Sequence, residues 1–303
     1  MSEGSPACWI CDSTRAQPYK ANNGPKRLTA ADLRITDDRY GVTLTLARCE
    51  DCGFVYADKD EAGDLVELYT QLDDESYEES DDARARQMAW LLEVAMTHHP
   101  KAKTALDIGA ASGLLVHQAR EAGLDAVGVE PSRSLVEAAQ RTHGLDLFQG
   151  VYPHPELEGR SFDLVFLVDV IEHVVDPLAL LRSCEAALEP GGRAIVVTPD
   201  LSSPTAKLMG QRWWHLRLAH VGYFGSRSFH EAARRANLQV VKELRAKWFF
   251  PIGYLATRVE QYLPVGWFNR IAKRAPGLSW IYKREIPLNL HDSTVFVLER
   301  GAA

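Results

Sequence analysis

From residue 103 onward, short apolar runs alternate with amphipathic stretches. Residues 104–108, 126–129, 145–148, 162–168 and 194–198 are brief, β-branched-rich runs bounded by glycine, proline or acidic residues, and they read as buried strands. Between them lie helical patterns with clear start and stop signals. One runs over 114–122 and closes at Gly123; another opens at Pro131-Ser132 and stops at Gly144; a third starts at Asp176-Pro177. Glu189-Pro190-Gly191-Gly192 marks a turn into the fifth strand. A helix over 226–237, a strand over 239–245 and a last strand over 293–298 complete the pattern. Strands alternating with helices predict a doubly wound α/β domain, a mostly parallel sheet covered on both faces.

The first hundred residues follow a different pattern. Residues 42–46 alternate as a half-buried strand, and 54–56 continue beyond a cysteine pair. Four of the five cysteines fall into two pairs, Cys8-x-x-Cys11 and Cys49-x-x-Cys52. Each pair brings two thiolates onto one tight turn, and two such turns complete a tetrahedral sulfur shell for a structural zinc ion. Gly53 follows the last sulfur, where the turn calls for positive φ. Strand, knuckle and strand predict a zinc ribbon, with the 37 residues between the pairs holding an inserted loop. Disulfides or a redox pair are the competing readings. The fifth thiol, Cys184, lies in a helical run and reads as an inert core residue.

Composition narrows the function classes. In 303 residues, 46% are hydrophobic and 25% charged, the profile of a globular protein. A net charge of −7, and seven basic against six acidic residues in the first fifty, argue against nucleic acid as a partner. No run approaches the roughly 20 apolar residues of a membrane span, and the first residues lack the pattern of a secretory signal, so a cytoplasmic location is expected. The charge is nonetheless uneven. Eleven acids and no base lie between Asp60 and Asp82, whereas 15 Lys or Arg and three acids lie between Thr205 and Arg284, with five of the seven tryptophans. The acidic run reads as a solvated face; the basic, aromatic run suits an anionic small-molecule substrate or peripheral contact with a membrane.

The loop after the first strand carries the chemistry. A dinucleotide fold has G-x-G-x-x-G there; this chain has Asp107-Ile-Gly109-Ala-Ala111-Ser-Gly113. A carboxylate at the strand end would repel a pyrophosphate and suits an ammonium or sulfonium group. Glu130, 23 residues later at the end of the second strand, is placed to hold two ribose hydroxyls. One acid near a cation and one on a ribose describe S-adenosylmethionine (SAM). The segments LDIGAASG, GVEPS, FDLVFLVDVIEHVVDP and LEPGGRAIVVTPD resemble the successive motifs of class I SAM-dependent methyltransferases, over about residues 102–300. The paired-cysteine ribbon followed by LVELYTQLDDESY looks like the subgroup with a zinc-binding head, which includes sugar C-methyltransferases.

That resemblance implies a seven-stranded Rossmann-like sheet whose last strand is antiparallel, with a zinc ribbon over 1–58, a helical lid or linker over 59–101, and a core over 102–303 with an insertion at about 246–285. It implies that Asp107, Gly109 and Gly113 line the methionine and ribose part of SAM, that Glu130 holds the ribose, that Gly150 and Val151 flank the adenine, and that Asp169 lies near the methionine end. Two positions depart from the family pattern: the loop's middle glycine is Ala111, tolerable at negative φ, and the residue after Gly150 is Val151 rather than an acid. Methyl transfer to oxygen or carbon also needs a base. Glu172-His173, just past the fourth strand, is the first candidate, with His215 and His220 in RWWHLRLAHVGYFG as alternatives for base or substrate ligand. Tyr77 is a candidate lid residue. The expected acceptor is a sugar or glycan-type small molecule, with a lipid-linked hydroxyl acceptor or a non-catalytic scaffold as the alternatives.

Overall fold

The computed structural model describes residues 7–34, 39–72, 81–253 and 284–301. The N-terminal part forms strands β1 (Ala16–Lys20), β2 (Leu46–Cys49) and β3 (Val55–Ala57), followed by helices α1 (Lys59–Ala62), α2 (Leu65–Thr70) and α3 (Asp81–His98). Alternation then sets in: β4 (Thr104–Ile108), α4 (Leu114–Glu121), β5 (Asp125–Glu130), α5 (Arg133–His143), β6 (Phe148–Gln149), β7 (Phe162–Val168), α6 (Pro177–Ala187) and β8 (Leu188–Pro199). Beyond it come α7 (Pro204–Met209), β9 (Gly222–Tyr223), α8 (Ser226–Arg235), β10 (Leu238–Arg245), β11 (Trp248–Pro251), β12 (Glu285–Leu288) and β13 (Ser293–Arg300).

Seven strands form the main sheet in the order β10-β13-β8-β7-β4-β5-β6. The five from β8 to β6 are parallel, and β13 runs antiparallel between β8 and β10. This is the doubly wound sheet expected. Helix α4 and the buried leucine and alanine side chains of β4, β5 and β7 make one core, with α3 packed over α4; the opposite face joins α6, α8 and the ribbon in a second.

Three local differences from the sequence pattern have physical causes. Residues 42–45 do not join a ladder, because side chains take their backbone groups: Asn23 bonds both the N–H and, through its own N–H, the carbonyl of Thr43, and Glu61 accepts from the N–H and hydroxyl of Thr45. Residues 145–147 are not strand either, since Leu145 and Leu147 pack under the glycine loop at the places where a side chain on Gly113 or Gly128 would sit. The Glu189–Gly192 turn is absorbed into β8, which starts at Leu188 and carries a register shift against β7 between Phe162 and Leu164. Cys184 is fully buried, and burial pushes its thiol well above the usual range. Strands β11 and β12 pair antiparallel at the base of the expected insertion; Tyr77 and most of the insertion, including Trp267 and Trp280, lie outside the described residues.

Ala111 departs most from expectation. Its φ is +48°, not negative. The left-handed region costs an alanine roughly 1 kcal/mol relative to glycine, and here the turn is imposed by the Ala111 N–H donating to the Glu130 carboxylate at 2.9 Å. Ala111→Gly is therefore expected to raise unfolding free energy by at most about 0.6 kcal/mol after the unfolded-chain entropy effect, about 0.4–1 kcal/mol, is subtracted. Chemical denaturation of the two proteins measures the difference.

Candidate active site

The C-terminal ends of the parallel strands form the mouth of the site, as open α/β sheets require. Gly109 (φ +77°) turns the chain out of β4, and its N–H and that of Ala110 donate to the Val129 carbonyl at the end of β5. Gly113, also at φ +77°, caps α4. Glu130 closes β5, and its two oxygens accept from the N–H groups of Ala111 and Ser132 at 2.9 and 2.8 Å. The Gly150 N–H donates to the Glu130 carbonyl, and Val151 beside it is 46% exposed. The seven residues assigned to SAM thus lie along the ends of β4, β5, β6 and β7.

Asp107 and Glu130 are both buried. Burial first, and the Glu130 charge second, push Asp107 up to about 7; burial also lifts Glu130 to about 7, against its two amide hydrogen bonds. Two hidden acids with no basic side chain bonded to either among the described residues, beside a glycine turn, fit a ligand that brings an ammonium, a sulfonium and ribose hydroxyls. Asp169, at φ +52° just past β7, faces the open mouth; its N–H donates to the Val197 carbonyl. Its crowded surroundings push its carboxyl up to about 6, and the His215 charge opposes that shift.

The acceptor side is a cluster of histidines. The carbonyl of Ala219 can only accept, so His173 Nδ1, at 2.8 Å, carries the hydrogen; the Tyr69 hydroxyl stands 2.7 Å from the same nitrogen. The rings of His173 and His220 meet edge to face with centroids 4.8 Å apart, and those of His220 and His215 are stacked at 5.9 Å. Burial depresses His173 to about 4 and His220 well below the usual imidazole range. Glu172 is buried, accepts from Thr198 Oγ1 at 3.1 Å, and is pushed well above the carboxylate range by burial and then by Asp169. Ligating atoms of Glu172, His173 and His220 lie within 4.8 Å of one another. The Arg217 guanidinium acts on all three, which disfavours a cation among them.

His215 has a partner the sequence did not reveal. Its Nε2 lies 3.2 Å from Oδ2 of Asp292, and the indole N–H of Trp214 donates to the same oxygen at 2.8 Å. Nothing in the chain pattern marks Asp292, 77 residues further on. Several arginines of the basic stretch prove to be committed internally. Arg227 donates to the Asp51 carbonyl, Arg235 to Asp12, Glu231 and the Cys11 carbonyl, and Arg245 to Asp200.

The four N-terminal cysteines converge. Cys8 and Cys52 sulfurs are 3.6 Å apart, those of Cys11 and Cys49 are 3.5 Å apart, and all four lie within 4.8 Å. A zinc ion with sulfurs at about 2.3 Å needs sulfur pairs spaced about 3.8 Å. Crowding splits the thiols: the Cys52 hydrogen bond brings Cys8 down to about 5 while Cys52 is pushed far up. A dication removes that conflict, so the donor set suits zinc. The ribbon is also wired to the site. Strand β3 pairs with β9, the Ala57 N–H donates to the Val221 carbonyl, and the Val221 N–H donates to the Glu172 carbonyl.

Comparison with known proteins agrees with this geometry. The family model of the methyltransferase domain matches residues 80–243, more than half of the chain, and the chain belongs to that family. The seven-stranded, mostly parallel sheet is the fold of that domain. The chain is 34% identical over 122 residues to the ubiquinone biosynthesis O-methyltransferase of Bradyrhizobium diazoefficiens (39% of this chain, 44% of that one) and 30% identical over 103 residues to the enzyme of the same name from Aliivibrio fischeri (32% and 44%). The chain therefore spans less than half the length of these relatives. A chain from the complex between the Haloferax volcanii Trm112 methyltransferase activator and a methyltransferase shares the fold, with a TM-score of 0.52 and 15% identity over 79% of this chain and 98% of the other. The sugar C-methyltransferase likeness is not repeated among these names. Among the described residues no helix is long and apolar enough to cross a membrane.

The two buried carboxylates set a pH dependence. Both titrate near 7 when folded and near 4 when unfolded. Between about pH 4 and 7 the unfolded chain gives up these protons and the folded chain keeps them, so their contribution to the stability of the ligand-free protein falls as pH rises through that window and is constant above it. SAM needs the ionised forms, so its affinity is expected to weaken as pH drops below 7. Calorimetric titrations at pH 6, 7 and 8 measure the trend, and Asp107→Asn should flatten it.

Proposed function

We propose that this methyltransferase transfers the methyl group of SAM to a hydroxyl of a small acceptor seated between the sheet mouth and the ribbon. The observation that carries the reading is the junction of two residue sets at the end of β7: Asp107, Glu130 and Asp169 follow β4, β5 and β7, and Asp169 is acted on by His215, whose ring stacks on His220 and through it joins His173. SAM supplies the electrophilic methyl group when bound. Asp107 and Asp169 hold its cationic end, Glu130 its ribose, and Gly150 and Val151 the adenine. A histidine then takes the acceptor proton, which oxygen nucleophiles need and most nitrogen nucleophiles do not.

Two observations favour an oxygen acceptor over sugar carbon. The relatives are named as O-methyltransferases, and arginines of the basic stretch that could have met a sugar diphosphate are spent on Asp12, Asp51, Asp200 and Glu231. A hydroxylated aromatic acceptor is the leading class; an anionic sugar derivative, suggested by the charge of residues 205–284, is the second. Incubation with methyl-labelled SAM and a panel of catechols, phenols and nucleotide sugars, read by mass spectrometry, tests this. Label on a phenolic oxygen is expected; label on a sugar carbon would replace this reading with the second.

Zinc belongs to the same proposal. Cys8, Cys11, Cys49 and Cys52 would hold one ion per chain, and because β3 pairs with β9 the ion would also steady Val221, His220 and the Glu172 turn. Cys49→Ser with Cys52→Ser is expected to lose the metal by elemental analysis and to lower thermal stability, since structural zinc contributes folding free energy directly. SAM affinity should persist while turnover falls, because the SAM residues sit on strands away from the ribbon.

A further inference from the structure

We infer that His215 is the base that takes the acceptor proton, through Nδ1, and that Asp292 is the residue that positions it. The inference rests on the hydroxyl-acceptor reading above and assigns a role within the same site. Three imidazoles form the cluster, and their hydrogen bonds separate them. His173 is tied through Nδ1 to the Ala219 carbonyl, and His220 is buried with Nδ1 unpartnered among the described residues. Among the described residues His215 alone of the three is paired with a carboxylate, and its side chain is 23% exposed, so an acceptor can reach it.

The pairing specifies the tautomer. The Asp292 side chain is 4% exposed and receives two donors, the Trp214 indole N–H and His215 Nε2. Those hydrogen bonds hold its carboxyl below the usual carboxylate range in spite of burial. An ionised carboxylate only accepts, so Nε2 carries the hydrogen and Nδ1 presents the lone pair. When Nδ1 takes a proton, the adjacent carboxylate stabilises the imidazolium, the role an acid plays behind a histidine base. The other groups around the ring are Trp213, edge-on at 5.0 Å, the His220 ring, and Asp169, on which His215 and Asp292 both act and which Arg84 also faces.

Topology brings the pair to the reacting end of the sheet. Because β13 is antiparallel, its first residue, Ser293, lies opposite Pro199 at the end of β8, so Asp292 stands beside the C-terminal ends where Asp169 sits. The Asp292 carbonyl accepts the Asp200 N–H at 2.8 Å, which anchors the acid to that edge. In the reaction, the acceptor O–H proton passes to Nδ1 as an oxygen lone pair forms the new bond to the methyl carbon. The pair of the breaking carbon–sulfur bond stays on sulfur, leaving a neutral thioether, and the imidazolium later releases its proton to water.

Long-range proton–nitrogen NMR of the full chain labelled with 15N-histidine reads the tautomer directly and needs no acceptor. The Nε2–H form is expected for His215; a predominant Nδ1–H form would overturn the inference. Asp292→Asn should mix the tautomers. With the acceptor from the panel, His215→Asn is expected to lower kcat roughly 100-fold with little change in KM or SAM affinity. Asp292→Asn should lower kcat and move the acidic limb of the kcat–pH profile to lower pH. Wild-type kcat in His215→Asn, or an unmoved limb in a folded Asp292→Asn, overturns it. If Asp292→Asn does not fold by circular dichroism, the tautomer and the His215→Asn rate decide. A panel in which SAM binds but no hydroxyl is methylated removes the acceptor reading, and the tautomer still decides the pairing.

Discussion

Three carboxyl groups, Asp107, Glu130 and Glu172, are buried at one end of the sheet, and no arginine or lysine hydrogen-bonds to any of them among the described residues. Burying an unpaired charge is among the costliest things a fold does. The structure manages it by holding these groups near or above neutrality, and by giving Glu130 two backbone N–H donors. The glycine turn, the left-handed Ala111 and the close packing of Gly113 on Ala139 and Leu145 all serve that arrangement, because they bring amides within reach of Glu130. At Asp107 and Glu130, where burial raises both carboxyls and no guanidinium among the described residues opposes it, a ligand cation would offset part of that cost.

The ribbon reaches the other side of the mouth by continuous packing. Trp9 lies against Phe54 and Tyr56, Phe54 against Phe224, and β3 passes its hydrogen bonds to β9 and so to Glu172. Arginines 227 and 235 of α8 clamp both cysteine knuckles. The strand order β1-β2-β3-β9 makes the ribbon sheet partly a product of the catalytic unit. The cysteine knuckles and the histidine cluster are thus two ends of one packed and hydrogen-bonded path.

Much of this was legible in the chain. The strands β4, β5, β7 and β13 and the helices α4, α5 and α6 fall where apolar period, proline and glycine placed them, because burial on both faces leaves those segments little freedom. The loop spacing, Glu130 and the cysteine pairs could be read because each is a local pattern with local geometry. Residues 42–45 could not, since their backbone partners, Asn23 and Glu61, come from a separate loop and from helix α1. The φ of Ala111 depends on a hydrogen bond to Glu130, 19 residues on, and an alanine carries no mark of it.

Asp292 shows where such reading stops. His215 and Asp292 meet because an antiparallel strand enters a parallel sheet and brings its beginning, rather than its end, to the mouth. The candidate SAM residues follow the C-terminal ends of β4, β5, β6 and β7, so a search along the chain naturally looks there. An antiparallel strand inverts the rule, and the residue just before it becomes the one on the active side. The acid then comes with a ready partner: Trp214 and His215 occupy one turn after α7, and both reach the same carboxylate oxygen. A buried acid that fixes two consecutive side chains at the entrance constrains the shape of the acceptor pocket as well as the protonation of its base.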